Sequence, residues 1–338
     1  MAKQFEIEWD FYLQAFRLHQ KMTKGSNRQA EQMLRRAIDI ANECDRPFAR
    51  AYGLLSFTFL TAYLNAWTDQ EAAAAMLAAA KADIGKSDGG DERMNAIVDV
   101  IFGLNEGDDL TAIVPPVVAY YGAKAAALDP DDFDNPWSQG TGFLYFFKDC
   151  AVAIESYDEA IAKAQEAQAA AICIDSLKVD KADALFYCAP LPDKANQVGQ
   201  AIALAEEAIA NARENAPDDP KRFRWNWTLG WAYYEADRFA ESLVALQQIN
   251  NPHDLILKNI IASYVGLDKV ELAIPLAAEF MERHPTYTLD VEDRWPYSDA
   301  RLERWKTHLK AAGLPGEVSS ARRRARRPAA LRKGRRRR

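Results

Sequence analysis

The sequence predicts an all-α protein with a large helical core. Hydrophobic residues make up 49% of the 338 residues, which is ample for a continuous core. Alanine, the strongest helix former, is concentrated in runs such as 71–80 and 167–171. Segments in which Val, Ile or Thr alternate with polar residues, as strands require, are hard to find. These observations favour helices along the whole chain.

A recurring spacing of small and large residues divides the chain into helix–turn–helix units. The clearest stretch is 224–242, where Leu229, Gly230 and Tyr233 are followed by a turn-like Glu-Ala-Asp. The pattern Leu-Gly-x-x-Tyr is typical of the first helix of a tetratricopeptide (TPR) repeat. In such repeats the small residues let two helices approach, and the large residues fill the gaps between them.

The TPR spacing recurs in both directions from this stretch. It is most complete in the fourth unit, where Trp137, Ala153, Tyr157 and Ala160 match both helices of the repeat without a gap. We expect about seven helix pairs, stacked as a TPR-like α-solenoid that forms a right-handed superhelix with a concave inner face. This array should cover residues 1–316.

The distribution of charge separates the array from the end of the chain. Residues 317–338 hold 11 of the 42 Lys and Arg residues and one of the 49 acids, so residues 1–316 carry a net charge of −17. Such an acidic body disfavours nucleic acid as its partner. The Arg-rich tail is predicted to be disordered. Its composition equally suits a frameshift in GC-rich coding sequence, so we assign it no function.

The cysteines and the N-terminus bear on the compartment. Cys44, Cys150, Cys173 and Cys188 are scattered, without a Cys-x-x-Cys pair or a His at ligand spacing, so we expect four buried thiols in a reducing compartment. The N-terminus lacks the apolar core of a signal peptide, and no apolar run approaches the roughly 20 residues that cross a bilayer. We therefore predict a cytoplasmic protein without a membrane span.

No local signature of catalysis, metal binding or cofactor binding is legible. His19, His253, His284 and His308 fall in different repeats, and we expect them at the surface or at helix ends. The Gly residues around Thr141 are not followed by Lys-Ser or Lys-Thr, as a phosphate-binding loop would require. The sequence therefore predicts no enzyme activity, no catalytic residue, no metal site and no cofactor.

The candidate binding site is the concave groove of the array. Aromatic and Arg side chains anchor many protein and peptide interfaces, and several fall at first-helix positions that face this groove. An alternative stays open, in which these rings pack against the next repeat. The residues predicted to line the groove are Arg50, Phe57, Tyr145, Phe146, Arg224, Trp227, Trp231 and Tyr234.

The end of the predicted array has a distinctive sequence. Residues 287–315, which include Trp295-Pro296-Tyr297-Ser298-Asp299, are similar to the closing segment of TPR regions attached to bacterial class III adenylate/guanylate cyclases and to some winged-helix transcriptional regulators. The resemblance extends to most of residues 10–316 and implies a role in bacterial signalling. The family's cyclase domain lies before the repeats and holds metal with two aspartates. No such domain is legible here, so the activity does not carry over.

The sequence therefore predicts a TPR scaffold that binds a protein or peptide partner through its groove. The alternative is the detached regulatory or sensor part of a cyclase system, with a cyclase or another signalling protein as its partner. A transcriptional regulator without its DNA-binding domain ranks third. The partner's identity, the binding face, the oligomeric state and whether the chain is part of a longer protein stay open.

Overall fold

The computed structural model describes residues 2–44, 46–85, 92–132, 134–147, 149–188, 194–215, 222–249, 252 and 254–316. Every regular element in these residues is helical, which confirms the all-α prediction for this part of the chain. A π-helical turn at Phe143–Phe147 follows α7, and a 3-10 helix at Leu289–Arg294 precedes α15. The α-helices of the described residues are α1 (Ala2–His19), α2 (Lys24–Glu43), α3 (Ala49–Leu64), α4 (Gln70–Ile84), α5 (Glu92–Gly103), α6 (Leu110–Leu128), α7 (Asp134–Gly142), α8 (Cys150–Glu166), α9 (Ala171–Cys188), α10 (Lys194–Asn215), α11 (Arg222–Glu235), α12 (Phe239–Leu246), α13 (Asp254–Gly266), α14 (Val270–Arg283) and α15 (Asp299–Ala311).

Helices that follow one another in the chain pack together over most of the structure. The region from α3 to α6 departs from this order, because α3 packs mainly against α6, and also against α2 and α7, while α4 lies against α5 and α6. Helix α6 is therefore surrounded by neighbours, and Ile113, Val114 and Val117 on it are fully buried. Pro115 and Pro116 lie inside this helix and do not start it. Its start is set by Asp109, whose side chain accepts a hydrogen bond from the N–H of Thr111.

Four turns between helices share one backbone geometry. Each contains a non-Gly residue with φ between 52° and 61°, in the left-handed region that commonly ends a helix. The next residue then donates its N–H to the carbonyl five residues back, which satisfies an orphan carbonyl at the helix end. The four pairs, with N–O distances of 2.8–2.9 Å, are Trp67 to Ala62, Ala169 to Ala164, Arg238 to Tyr233 and Lys269 to Tyr264.

The small residue of the Leu-Gly-x-x-Tyr pattern lies where two helices approach closely. A Cβ atom added at Gly230 of α11 would lie 2.6 Å from Cγ of Leu246 on α12, and Leu246 is fully buried. We expect Gly230→Ala to lower the free energy of unfolding by about 1–3 kcal/mol, because the buried leucine has no space to move into.

Gly199 provides a matched control for this substitution. It is exposed on α10 with nothing within 4 Å of an added Cβ, so Gly199→Ala should raise stability by about 0.5–1 kcal/mol through helix propensity. Urea unfolding of both variants gives the two values. Equal effects of the two substitutions would contradict the close approach of α11 and α12.

The prediction that all four cysteines are buried thiols is wrong. Cys150 and Cys188 form a disulfide, whereas Cys44 and Cys173 are free and partly exposed. Helices α8 and α9 pack against each other as a hairpin, and the bonded cysteines are the first residue of α8 and the last of α9. The fold therefore brings together two residues that lie 38 positions apart in the sequence.

The C-terminal part of the described chain returns to the N-terminal half. The 3-10 helix packs against α3, and Nη1 of Arg294 donates a 2.7 Å hydrogen bond to the carbonyl of Tyr63. We call residues 287–315 the closing segment. Within the described residues no helix is both long and apolar enough to cross a bilayer. The basic tail, residues 317–338, lies outside the described residues.

Candidate ligand pocket

The described residues enclose a cavity of about 380 Å³, a size typical of ligand pockets in proteins. Helices α1, α3, α7, α9 and α11 contribute to its walls, together with the π-helical turn and the closing segment. Leu13, which is 42% exposed, lies at its rim. Aromatic side chains make up about a third of the residues that line it. The rings that line it are Trp9, Tyr12, Phe16, Phe57, Trp137, Tyr145, Tyr187, Trp225, Trp227, Trp231 and Trp295.

One wall of the pocket comes from α1. Trp9, Tyr12, Phe16 and His19 are spaced by three, four and three residues, so they share one face of this helix. The sequence predicts His19 at the surface or at a helix end. His19 is the last residue of α1, but it does not lie at the surface. The side chain is 3% exposed, and its ring centre lies 5.0 Å from that of Phe57.

The electrostatic surroundings keep His19 neutral. Burial lowers the pKa of His19 to about 4, and the positive charge of Arg224 adds to this effect. Its imidazole therefore carries no charge at neutral pH. The face of α1 that lines the pocket is therefore aromatic and uncharged at His19.

Arg224 lies at the centre of the polar part of the pocket. It donates a hydrogen bond from Nη2 to Asp180, and its guanidinium lies 5.7 Å from the ring centre of Phe57. Burial alone would lower the pKa of Arg224, but the charges of Asp180 and Asp183 raise it above its usual value. Asp180 also accepts a 2.7 Å hydrogen bond from the indole nitrogen of Trp137. Helices α7, α9 and α11 are thereby joined at Asp180.

Asp183 lies farther from Arg224 than Asp180 does and also interacts with the side chain of Thr228. Its nearest guanidinium nitrogen, Nη2 of Arg224, is 3.7 Å away, and its side chain keeps 14% exposure within the pocket. Burial raises the pKa of Asp183 to about 7, the charge of Arg224 lowers it, and the neighbouring charge of Asp180 raises it again. The Asp183 carboxyl therefore changes its charge near neutral pH.

A second ion pair closes another side of the pocket. Nε of Arg50 on α3 lies 2.5 Å from Asp132 and 3.5 Å from Asp134. The Arg50 guanidinium also lies 5.8 Å from the ring centre of Trp9. Arg50 thus joins α3 to the start of α7 and to the aromatic face of α1.

The closing segment completes the aromatic wall. The ring centre of Trp295 lies 5.6 Å from that of Trp231 and 6.3 Å from those of Tyr145 and Tyr187. These separations are typical of interacting aromatic pairs. A continuous set of rings therefore runs from the π-helical turn through α9 and α11 to the closing segment.

The structure brings most of the predicted groove residues together. Arg50, Phe57, Tyr145, Arg224, Trp227 and Trp231 all line the pocket. Trp231 is nevertheless only 3% exposed, and its ring stacks on Trp305 at 5.2 Å, so it belongs to the core as well as to the pocket wall. The side chain of Phe146 lies outside the described residues.

Tyr234 does not line the pocket. Its side chain is fully buried, its hydroxyl lies 2.9 Å from Nδ1 of His308, and its ring meets that of Trp305 edge to face. These contacts with His308 and Trp305 of α15 place Tyr234 in the core. The alternative that some of these rings serve packing therefore applies to this residue.

Several pocket residues were not predicted from the sequence. The aromatic spacing in α1 was a usable signal, since it marks one helix face. The sequence around Asp180 and Asp183 has the pattern of charged residues that an exposed helix face also shows, so it did not indicate that these two carboxylates line a pocket. Trp295 reaches the pocket only because the closing segment packs back against α3.

The pocket offers aromatic surface with a few charged groups and no evident reactive set. Among the described residues, no group of three or more His, Cys, Asp or Glu side chains is arranged to hold a metal ion. The arrangement is suited to holding a ligand. In comparisons with known proteins, no protein-family model matches the chain. No curated protein matches it significantly either.

Proposed function

We propose that this protein is a non-catalytic TPR-like scaffold that binds a protein or peptide partner, part of which enters the interior pocket. The observation that carries the proposal is the pocket itself, in which rings from distant parts of the chain surround a volume of about 380 Å³. That volume accommodates one or two side chains of a partner.

The exposure of the lining rings supports binding over packing. Phe57, Tyr145 and Trp227 lie in the interior of the array yet remain partly exposed, because they border the cavity. Large aromatic side chains in a concave, mostly apolar site are the residues that contribute most to partner binding. Filling the cavity would bury this surface and so favour association.

The local geometry supports the TPR-like part of the proposal. Three of the four turns with the same left-handed residue and hydrogen bond, at Ala66, Asp237 and Asp268, join the two helices of a predicted unit, as a repeated helix–turn–helix would give. The fourth, at Gln168, joins one predicted unit to the next. The close approach at Gly230 is also the contact that the small residue of a TPR repeat provides.

A peptide selection with a matched pair of variants tests the proposal. Random peptides displayed on phage are selected on the immobilised full-length chain, and their affinities are then measured by fluorescence polarisation. We expect Trp227→Leu to weaken the selected peptides by at least about tenfold, because it removes a ring of the pocket while keeping apolar volume. The control is Phe102→Ala, since Phe102 is 55% exposed on α5 and does not line the pocket.

Trp227 is substituted in this test, and Trp231 is kept, because of their different positions in the structure. Replacing Trp231 would disturb its stacking on Trp305 in the core, whereas Trp227 is partly exposed. Circular dichroism and the melting temperature establish that both variants fold. Selected peptides that bind Trp227→Leu and the parent chain equally would overturn the proposal.

The second candidate is the regulatory or sensor part of an adenylate/guanylate cyclase system. It rests on the resemblance of residues 287–315 to the closing segment of cyclase-associated TPR regions. One structural observation favours it, because Trp295 of this segment forms part of the pocket wall and would sense whether the pocket is filled. A selection that recovers no peptide would overturn the scaffold proposal and favour this second candidate.

A further inference from the structure

The charges around the pocket are not balanced. Among the described residues that line it, two guanidinium groups face three carboxyl groups. Arg50 is committed to the carboxylates at the start of α7, and Arg224 is hydrogen bonded to Asp180. The residue left with the weakest ionic contact is Asp183, at 3.7 Å from Arg224.

The surroundings of Asp183 are aromatic. Tyr145 and Tyr187 line the same pocket with ring centres 5.8 Å apart, and Trp231 packs against Tyr187 with ring centres 5.9 Å apart. A carboxylate surrounded by aromatic faces is the environment that recognises an organic cation, since the carboxylate supplies the countercharge and the rings supply cation–π attraction. Anions are disfavoured there once Asp183 is ionised, because three carboxylates then face two guanidinium groups.

We propose that the pocket binds a cationic amine on an apolar stem, with the ammonium group paired to Asp183 and the stem against the rings of Phe57, Tyr145 and Trp227. This inference rests on the proposed function, because it states the chemistry of the group that a partner would insert. The amine is carried either by a lysine side chain of a peptide or by a free small molecule. The net charge of −17 on residues 1–316 attracts either source.

Binding of the amine is coupled to ionisation of Asp183. In the free pocket the pKa of Asp183 is about 7, so the carboxyl is only partly ionised at neutral pH. A cation that pairs with it favours the charged form, and binding therefore releases protons. The charged and titratable groups that face Asp183 are Asp180 and Tyr187 on α9, Arg224 on α11, Tyr145 in the π-helical turn and Tyr157 on α8.

The tyrosine and arginine side chains around Asp183 do not change their own charge in the pH range in which Asp183 ionises. Burial raises the pKa of Tyr145 and that of Tyr187 well above the usual value, so both stay neutral, while the Arg224 guanidinium stays charged. His19, whose charge would oppose the cation, is neutral between pH 5.5 and 8 because its pKa is about 4. The affinity for an amine should therefore rise with pH between 5.5 and 8, by at least about tenfold, as Asp183 ionises.

The first test uses a pair of small probes on the full-length chain. Phenethylamine and 2-phenylethanol have the same ring and similar size, and only the amine is charged over this pH range. By isothermal titration calorimetry at pH 8 we expect the amine to bind at least about tenfold more tightly than the alcohol. Asp183→Asn should abolish this preference and the pH dependence of amine binding. Asn resembles the protonated carboxyl, so this variant is expected to fold.

Asp99→Asn is the control for net charge. Asp99 is exposed on α5 and does not line the pocket, so this variant should retain the full preference for the amine. Equal affinities of the parent chain for amine and alcohol would overturn the inference. A preference that survives in Asp183→Asn would overturn it as well.

The second test identifies the source of the amine. A blocked pentapeptide with one central lysine is compared with the same peptide carrying acetyl-lysine, which has no charge. Tighter binding of the lysine form, lost in Asp183→Asn, supports a peptide source, whereas binding of phenethylamine alone supports a small-molecule source. Selected peptides that depend on Trp227 but are indifferent to lysine acetylation and to Asp183→Asn would overturn this inference and leave the proposed function standing.

Discussion

Replacing Lys258 with Met should lower the free energy of unfolding by roughly 3–5 kcal/mol, which corresponds to a fall in melting temperature on the order of 10 °C. Lys258 on α13 is 4% exposed, and its ammonium group pairs with Glu292, which is fully buried in the 3-10 helix. The carboxylate also accepts hydrogen bonds from Tyr287 at 2.6 Å and from the indole nitrogen of Trp305 at 2.8 Å. Without Lys258 it keeps these neutral donors but has lost its countercharge in the interior.

Two further variants separate this effect from loss of packing. In the double variant Lys258→Met with Glu292→Gln, the neutral amide no longer needs a countercharge, so much of the lost stability should return. Lys306→Met removes a surface ion pair to Asp293, which is 53% exposed, and should cost less than about 1 kcal/mol. Thermal and urea unfolding measure all three. A single variant Lys258→Met as stable as Lys306→Met would contradict the role of the buried pair.

The stability of the closing segment has a consequence for the pocket. Glu292 lies three residues before Trp295, whose ring forms part of the pocket wall. Weakening the contact between α13 and the 3-10 helix should therefore loosen this wall. Ligand affinity and global stability are expected to fall together in Lys258→Met.

Replacing both Cys150 and Cys188 with Ser should lower the free energy of unfolding by about 2–4 kcal/mol. The disulfide joins residues 38 positions apart, so its loss enlarges the ensemble of unfolded conformations. It also ties the end of α9 to the start of α8. Since α9 carries Asp180 and Asp183, the pocket should become less ordered when the bond is removed.

Thiol titration checks the disulfide before any stability measurement. In denaturant without reductant, two of the four cysteines should react, and after reduction all four should react. The control variant, in which Cys44 and Cys173 are replaced by Ser, should keep the melting temperature of the parent chain and its sensitivity to reductant. Four reactive thiols in the unreduced chain would contradict the bond.

Helix positions were largely predictable, because the signals that set them are local. The sequence predicts helices at about residues 92–104 and 110–128, and the structure has Glu92–Gly103 and Leu110–Leu128. Side-chain caps such as Asp69, which accepts from the N–H of Ala72, fix where a helix begins within a few residues of sequence. The sequence also predicts that Pro115 and Pro116 start or kink the helix at about residues 110–128; the start is wrong, because both lie inside α6, which begins at Leu110.

The candidate site was predictable only in part. A repeat pattern tells which first-helix residues face inward, and it therefore found Phe57, Tyr145 and Trp227. It treats Tyr234 in the same way, although α15 covers this residue in the folded chain. The contribution of α1 was missed because its unit matches the repeat spacing poorly, even though Trp9, Tyr12 and Phe16 share one helix face.

The sequence by itself determined that the described part of the chain is helical, where helices such as Glu92–Gly103 and Leu110–Leu128 lie, and that Gly230 is at a close helix contact. Periodicity, caps and side-chain size act over a few residues and can be read without the fold. Only the tertiary structure decided that the side chains of the candidate site line one pocket, because the pocket depends on contacts between distant residues. Arg294 bonds to the carbonyl of Tyr63, 231 residues away, and Trp295 completes the wall. The charge of Asp183 depends on burial and on Arg224, and both exist only after α9 and α11 have packed together.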